Sequence, residues 1–295
     1  MAARITTGSI SKKSHSSPAR AYHARLPAPR PITATRAGGS AGRAGPRSSR
    51  AEGTRSHPAS RRRLYATGLT TGWRCLEVGP GAGSMMQWMG EKVGASGQVV
   101  ALDLSTKFLP ARRPEQVEVQ QGDIRTAALP QGSFDLVHAR YVLVHLPDYE
   151  VALSRMLAAL KPGGWIVLEE PDFSASRGIA GTAAQLAAMQ HIHQAIHQMY
   201  ESRGMDYALG LKLLSLLQRH GLSELAMEYE APVSAGGSGL AKMMAMSAQQ
   251  LREKYLATGI VTDADLQGYC QMADDPQSRA VYYATAAVTG RKNTG

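Results

Sequence analysis

Apolar residues are sparse and aperiodic over the first 63 positions, whereas from about Leu64 onward strand-like runs alternate with helix-like ones. A strand buried on both faces reads as a short continuous apolar run, and an amphipathic helix as apolar positions three and four apart. Residues 73–78, 97–103, 116–121, 134–139 and 165–168 therefore predict five strands. Residues 84–93 predict a helix with Met85, Trp88 and Met89 on one face, and 104–113 a short helix or turn before Pro114. A second helix over 147–160 has apolar positions at 151, 153, 156, 157 and 160 and stops at Lys161-Pro162-Gly163-Gly164.

Beyond Asp172 the texture turns helical, with helices expected over 179–202 and 209–220, a sixth strand over 222–233, helices over 240–258 and 262–272, and a final strand over 281–289. Strands rich in Val, Ile and Leu that alternate with helices imply a parallel sheet covered on both faces. The expected fold is α/β, a doubly wound Rossmann-like sheet of seven mostly parallel strands with an inserted helical lid over 174–221. Ligands in such folds bind beyond the carboxyl ends of the strands, so polar residues at those ends are the candidates for chemistry.

Charge changes the picture only after it is split by position. Residues 1–63 hold 14 Lys or Arg against the single acid Glu52, a net of +13, while residues 64–295 carry a net of −3. The basic balance belongs to an Arg-, Ser- and Pro-rich tail expected to be disordered, and no nucleic-acid partner is expected for the folded domain. The tail fits an organellar transit peptide, a basic arm for nucleic acid or an anionic surface, or an extension without a role; prolines at 18, 27, 29 and 31 oppose an amphipathic leader helix. No apolar run approaches the roughly 20 residues that span a bilayer. With two cysteines, Cys75 and Cys270, and no CxxC pair, a reducing, cytoplasmic setting is the simpler expectation, an organelle the alternative.

The richest stretch is 72–83, Gly-Trp-Arg-Cys-Leu-Glu-Val-Gly-Pro-Gly-Ala-Gly. Gly79, Gly81 and Gly83 let the backbone turn sharply and let a ligand approach the main chain. Glu77 stands two residues before the first glycine, where a carboxylate suits a positively charged ligand group. Asp103 ends the second strand, where a carboxylate accepts ribose hydroxyls; Asp123 follows the third within Gly-Asp-Ile, where it accepts an adenine amine while Ile124 packs on the ring. The spacing is Gly-x-Gly-x-Gly, not the Gly-x-Gly-x-x-Gly that receives a pyrophosphate, so the set fits a nucleoside without a diphosphate.

These motifs resemble those of class I S-adenosylmethionine-dependent methyltransferases from about Leu64 to the C-terminus. Leu-Glu-Val-Gly-Pro-Gly-Ala-Gly is similar to the family's first motif, Val-Val-Ala-Leu-Asp to its second and Gly-Asp-Ile to its adenine motif. The stretches His138 to Asp148 and Glu169 to Phe173 resemble a bacterial small-molecule subgroup. The resemblance implies that Glu77, Gly79, Gly81 and Gly83, with Pro80 inside the turn, hold the methionine end. It likewise implies Asp103 at the ribose, Asp123 and Ile124 at the adenine, Leu104 among the cofactor-binding residues, and Arg140 near the cofactor carboxylate or the acceptor. Relatives usually carry an N-terminal helix that helps close the site, here either abbreviated to about 61–67 or lost.

Methyl transfer from a sulfonium is an in-line displacement, in which the protein mainly positions and desolvates. A base is needed only for an acceptor that must lose a proton. His145 is the candidate, set against the alternative of a hydrogen-bonded histidine starting a helix; Tyr141, Glu170 and Asp172 are the candidate acceptor residues. His191, His193 and His197 put only two imidazoles on one helix face, and no metal is expected. The expected function is methyl transfer to a small-molecule acceptor, in a chain with no membrane partner. The alternatives are a nicotinamide-dependent oxidoreductase, NAD(P)-dependent and of similar topology, and a non-catalytic cofactor-binding partner protein.

Overall fold

The computed structural model describes residues 58–294; most of the basic tail, 1–57, lies outside the described residues. The described chain opens with α1 (Pro58–Ala66). Residues 58–63, expected within the tail, are thus helical, and the abbreviated N-terminal helix is present. Composition masks it because the stretch is mostly Arg and Ser. What docks α1 is one fully buried side chain, Leu64, together with Arg63, which is 5% exposed. Tyr65 adds an edge-on contact with Trp88, ring centroids 5.0 Å apart.

Strands β1 (Arg74–Val78), β2 (Gln98–Asp103), β3 (Val117–Gln121), β4 (Phe134–Arg140) and β5 (Leu160–Asp172) alternate with helices α2 (Ser84–Val93) and α3 (Tyr149–Ala159). They are followed by β6 (Arg177–Ala180), α4 (Ala183–Glu201), α5 (Leu213–Arg219), β7 (Ser223–Glu230) and β8 (Ser234–Ala235). The chain ends with α6 (Gly239–Gln250), α7 (Arg252–Leu256), α8 (Asp263–Asp274), β9 (Arg279–Val281) and β10 (Ala284–Arg291). The main sheet runs β3-β2-β1-β4-β5-β10-β7, the seven expected strands, with β10 antiparallel to both neighbours. Strand order reverses between β1 and β4, which places the crevice beside the glycine turn.

Neighbouring side chains on each strand enter opposite cores, as a period of two requires. Leu76, Val100, Val137 and Ile166 face one core, which includes Leu153 and Met156 of α3. Cys75, Val99, Leu136 and Val167 face the other, with Leu64, Met85, Met86 and Met89. The Lys-Pro-Gly-Gly stretch, expected as a break, is absorbed into a β5 longer than 165–168, with Gly164 close to the backbone oxygens of Phe134 and Asp135.

The segment expected as a lid divides between two places. Helix α4, started by a capping box of Thr182 and Gln185, packs on α8 and β6, whereas α5 packs on β7 and β10. A small sheet, β6-β9-β8, joins the α4 layer. Its strands of two to four residues are too short for a period to register in the sequence. Among the described residues no helix is long and apolar enough to cross a membrane.

Candidate functional site

The carboxyl ends of β1, β2 and β3 lie side by side, because Val78 pairs with Leu102 and Asp103 with Gln121. Beyond β1 the N–H of Gly79 donates to the carbonyl of Leu102 at 2.9 Å, and that of Gly83 to Pro80 at 2.8 Å. Gly79, Gly81 and Gly83 all take positive φ, 68°, 58° and 82°. The three differ in what surrounds them. A Cβ on Gly79 would lie 2.5 Å from Val142 Cγ2, and one on Gly83 2.8 Å from Met86 Cε, whereas one on Gly81 would meet no protein atom within 4 Å. Gly81 therefore presents bare backbone to open space, while Pro80 beside it is buried.

Asp103 is 5% exposed, and its Oδ1 accepts the N–H of Ser105 at 2.9 Å. The Leu104 carbonyl accepts from Gln121 Nε2. Asp123 is gripped by Arg125: Nη2 reaches Oδ2 at 2.6 Å, Nε reaches both oxygens, and the Arg125 backbone N–H donates to Oδ1. Ile124 is buried in the main core.

Glu77 is 2% exposed, and its carboxylate meets an imidazole that the sequence reading passed over. His138, fully buried at the centre of β4 and paired in register with Glu77, places Nδ1 2.6 Å from Glu77 Oε2 and Nε2 3.3 Å from Glu169 Oε1. Burial alone would favour the neutral ring, but the two carboxylates outweigh it and raise the His138 pKa to about 9. The other Glu169 oxygen accepts from Ser60 Oγ at 2.9 Å and from Arg63 Nη1 at 3.0 Å. Burial opposes ionisation of Glu169 too, yet the bonds from His138, Arg63 and Ser60 hold its pKa at about 2. The available signal was His138, an ionisable residue inside the strand read as buried at 134–139, since a buried charge needs a partner.

The candidate acceptor residues are turned toward the protein. Glu170 is fully buried and accepts the N–H groups of Val142, Leu143 and Val144, at 3.0, 2.7 and 3.2 Å, fixing the turn Leu143–His145 that follows β4. Burial pushes its pKa up to about 7 against those three bonds. Asp172 accepts from the Ser174 backbone and hydroxyl and from the Tyr229 hydroxyl. Tyr141 bonds Thr285 through its hydroxyl at 2.7 Å, packs edge-on against Tyr283, and holds a positive φ of 57°. That conformation costs a side-chain-bearing residue roughly 1–3 kcal/mol. These contacts tie all three residues to the loops after β4 and β5.

His145 ends its turn exposed, and Arg140 ends β4 with its guanidinium 5.6 Å from the Tyr141 ring. On α4, His191 pairs with Asp265 of α8 at 2.8 Å and His197 packs at a tilt against Tyr207, ring centroids 4.2 Å apart. Among the described residues no three His, Cys, Asp or Glu side chains gather as a metal site.

Known proteins resemble this chain in sequence and fold. A family described as a methyltransferase domain matches residues 45–225. The chain is 34% identical over 125 residues to the aklanonic acid methyltransferase DauC of a Streptomyces species, an alignment covering 40% of this chain and 57% of that protein. It is 32% identical over 120 residues to a demethylmenaquinone methyltransferase of Staphylococcus aureus, covering 39% and 50%. The chain thus spans about half the length of these curated relatives. The crystal structure of the YcgJ protein from Bacillus subtilis superposes with a TM-score of 0.50 at 14% identity, covering 81% of this chain and 100% of that one, which shows the shared fold. With the strand order, the glycine turn and the family match covering most of its length, the chain belongs to the class I S-adenosylmethionine-dependent methyltransferases.

Proposed function

We propose that the chain transfers a methyl group from S-adenosylmethionine to a small-molecule acceptor in the cytoplasm, through residues 64–295 together with α1. The observation that carries this reading is the adjacency of the glycine turn, Asp103 and Asp123 at the ends of three neighbouring strands. The donor set suits the cofactor: bare backbone at Gly81, a buried carboxylate at Asp103 and a carboxylate at Asp123 follow one another along one sheet edge. When bound, S-adenosylmethionine supplies a methyl group on an already activated sulfonium.

In this reading Glu77, Gly79, Pro80, Gly81 and Gly83 hold the methionine end, Asp103 and Leu104 the ribose, and Asp123 the adenine amine. Arg140 lies toward the carboxylate or the acceptor. His145, at the end of a turn held by Glu170, takes the acceptor proton where one must leave. A small acceptor is supported by the names of the two relatives, which act on aklanonic acid and demethylmenaquinone.

Calorimetry with S-adenosylmethionine tests the cofactor assignment. Asp103→Ala is expected to weaken binding at least several-fold, and absence of heat with the unmodified chain would overturn the reading. Labelled cofactor incubated with fractionated metabolite extract, followed by mass identification of the product, tests the acceptor class. With that acceptor, His145→Ala is expected to lower turnover about a hundredfold at unchanged cofactor affinity.

A further inference from the structure

Four charged side chains form a continuous buried series from the glycine turn to the first helix: Glu77, His138, Glu169 and Arg63. All four are at most 5% exposed, and their charges alternate. Resting on the reading that Glu77 holds the methionine end of the cofactor, we propose that this ladder couples the seating of α1 to cofactor binding, with His138 and Arg63 as positioning residues.

Both ring nitrogens of His138 face carboxylate oxygens, so both must donate; a neutral ring would leave one lone pair against a carboxylate. The imidazolium thereby fixes the Glu77 carboxylate from one side. Glu169 divides its oxygens, Oε1 to His138 and Oε2 to α1 through Ser60 and Arg63. Arg63 is held in turn by Glu228 and Glu230 of β7, at 2.9 and 2.8 Å. When α1 lifts away, Oε2 loses both donors, and a buried carboxylate without its cation is costly. Glu169 then competes with Glu77 for the one imidazolium, and the geometry offered to the cofactor loosens. Coupling of this kind is reciprocal: whatever α1 adds to cofactor affinity, the cofactor adds to the docking of α1.

The coupling is read on the full chain by calorimetry with S-adenosylmethionine and by hydrogen exchange over residues 58–66. Arg63→Gln is expected to weaken the cofactor about tenfold, Arg63→Lys to recover part of the loss, and the penalty to vanish when Glu77 is already replaced by Gln. S-adenosylmethionine is expected to slow exchange in α1 of the unmodified protein. An equal Arg63→Gln penalty in the Glu77→Gln background, or α1 exchange indifferent to the cofactor, overturns the coupling. If Arg63→Gln does not fold, Ser60→Ala and the exchange measurement on the unmodified chain decide it by the same criteria. Wild-type binding that Glu77→Gln weakens and Arg63→Gln does not leaves the cofactor reading standing and removes the ladder. No binding by the wild-type chain removes both.

Discussion

The guanidinium of Arg125 occupies the carboxylate of Asp123, with Nη2 2.6 Å from Oδ2 and Nε 3.0 and 3.1 Å from the two oxygens. With the Arg125 backbone N–H also on Oδ1, the lone-pair positions of the carboxylate are nearly filled. An adenine amine at Asp123 must therefore displace part of the Arg125 grip.

The pair is partly exposed, side chains at 17% and 16%, and such pairs contribute about 1 kcal/mol or less. Relieving the competition is thus worth up to about fivefold in cofactor affinity. Arg125→Met is expected to tighten S-adenosylmethionine by a few-fold in calorimetry, with little change in unfolding free energy. Weaker binding in this variant would mean that Arg125 orients Asp123 instead of competing for it.

Gly79 and Gly81 separate folding from binding. Both hold positive φ, so alanine costs roughly 1–2 kcal/mol of backbone strain at either. Only at Gly79 does the new methyl strike protein, 2.5 Å from Val142 Cγ2; at Gly81 it projects into empty space beside the cleft. Gly79→Ala is expected to lower stability to denaturant by clearly more than Gly81→Ala. Gly81→Ala is expected to lose at least tenfold in cofactor affinity, out of proportion to its stability loss. Equal effects of the two substitutions on both measurements would sink the distinction.

How legible each part was depends on how local its cause is. The β1 to β5 frame and the glycine turn follow from short-range periodicity and from residues whose backbone freedom is intrinsic, and they stand where they were expected. Asp103 and Asp123 were singled out because a carboxylate at a strand end is a local signature. The His138 ladder was not, because its partners are 31 and 61 residues away along the chain and become neighbours only once β1, β4 and β5 are aligned. The bracing bonds of Glu170 were hidden for a related reason: the N–H groups of Val142, Leu143 and Val144 that it accepts come from another loop. The start of helix α1, residues 58–63, was read as tail because one buried leucine and one paired arginine leave no period.

The buried ionisable groups make stability depend on pH, and the sign follows from each shift. His138 has its pKa raised to about 9, so its contribution is complete below the ordinary imidazole range and is lost as pH rises through 9. Glu170, raised to about 7, shifts the balance the same way at lower pH: folding is favoured below the ordinary carboxyl range, and that advantage is gone above 7. Glu169, held at about 2, works oppositely, its contribution being present above the ordinary carboxyl range and lost only as pH falls through 2. The unfolding free energy should therefore decline from about pH 5 to 9. The groups facing His138 are Glu77 on β1 and Glu169 on β5, so replacing the imidazole leaves two buried carboxylates without their cation. Urea denaturation at a series of pH values measures this. His138→Gln is expected to lower stability by a few kcal/mol at pH 7 and to flatten the slope between pH 7 and 9. Glu170→Gln keeps one oxygen for the Val142 and Leu143 N–H groups and is expected to flatten the slope between pH 5 and 7. A wild-type curve that rises from pH 7 to 9, or a His138→Gln curve with the wild-type slope, would mean that the imidazole is neutral between its two carboxylates.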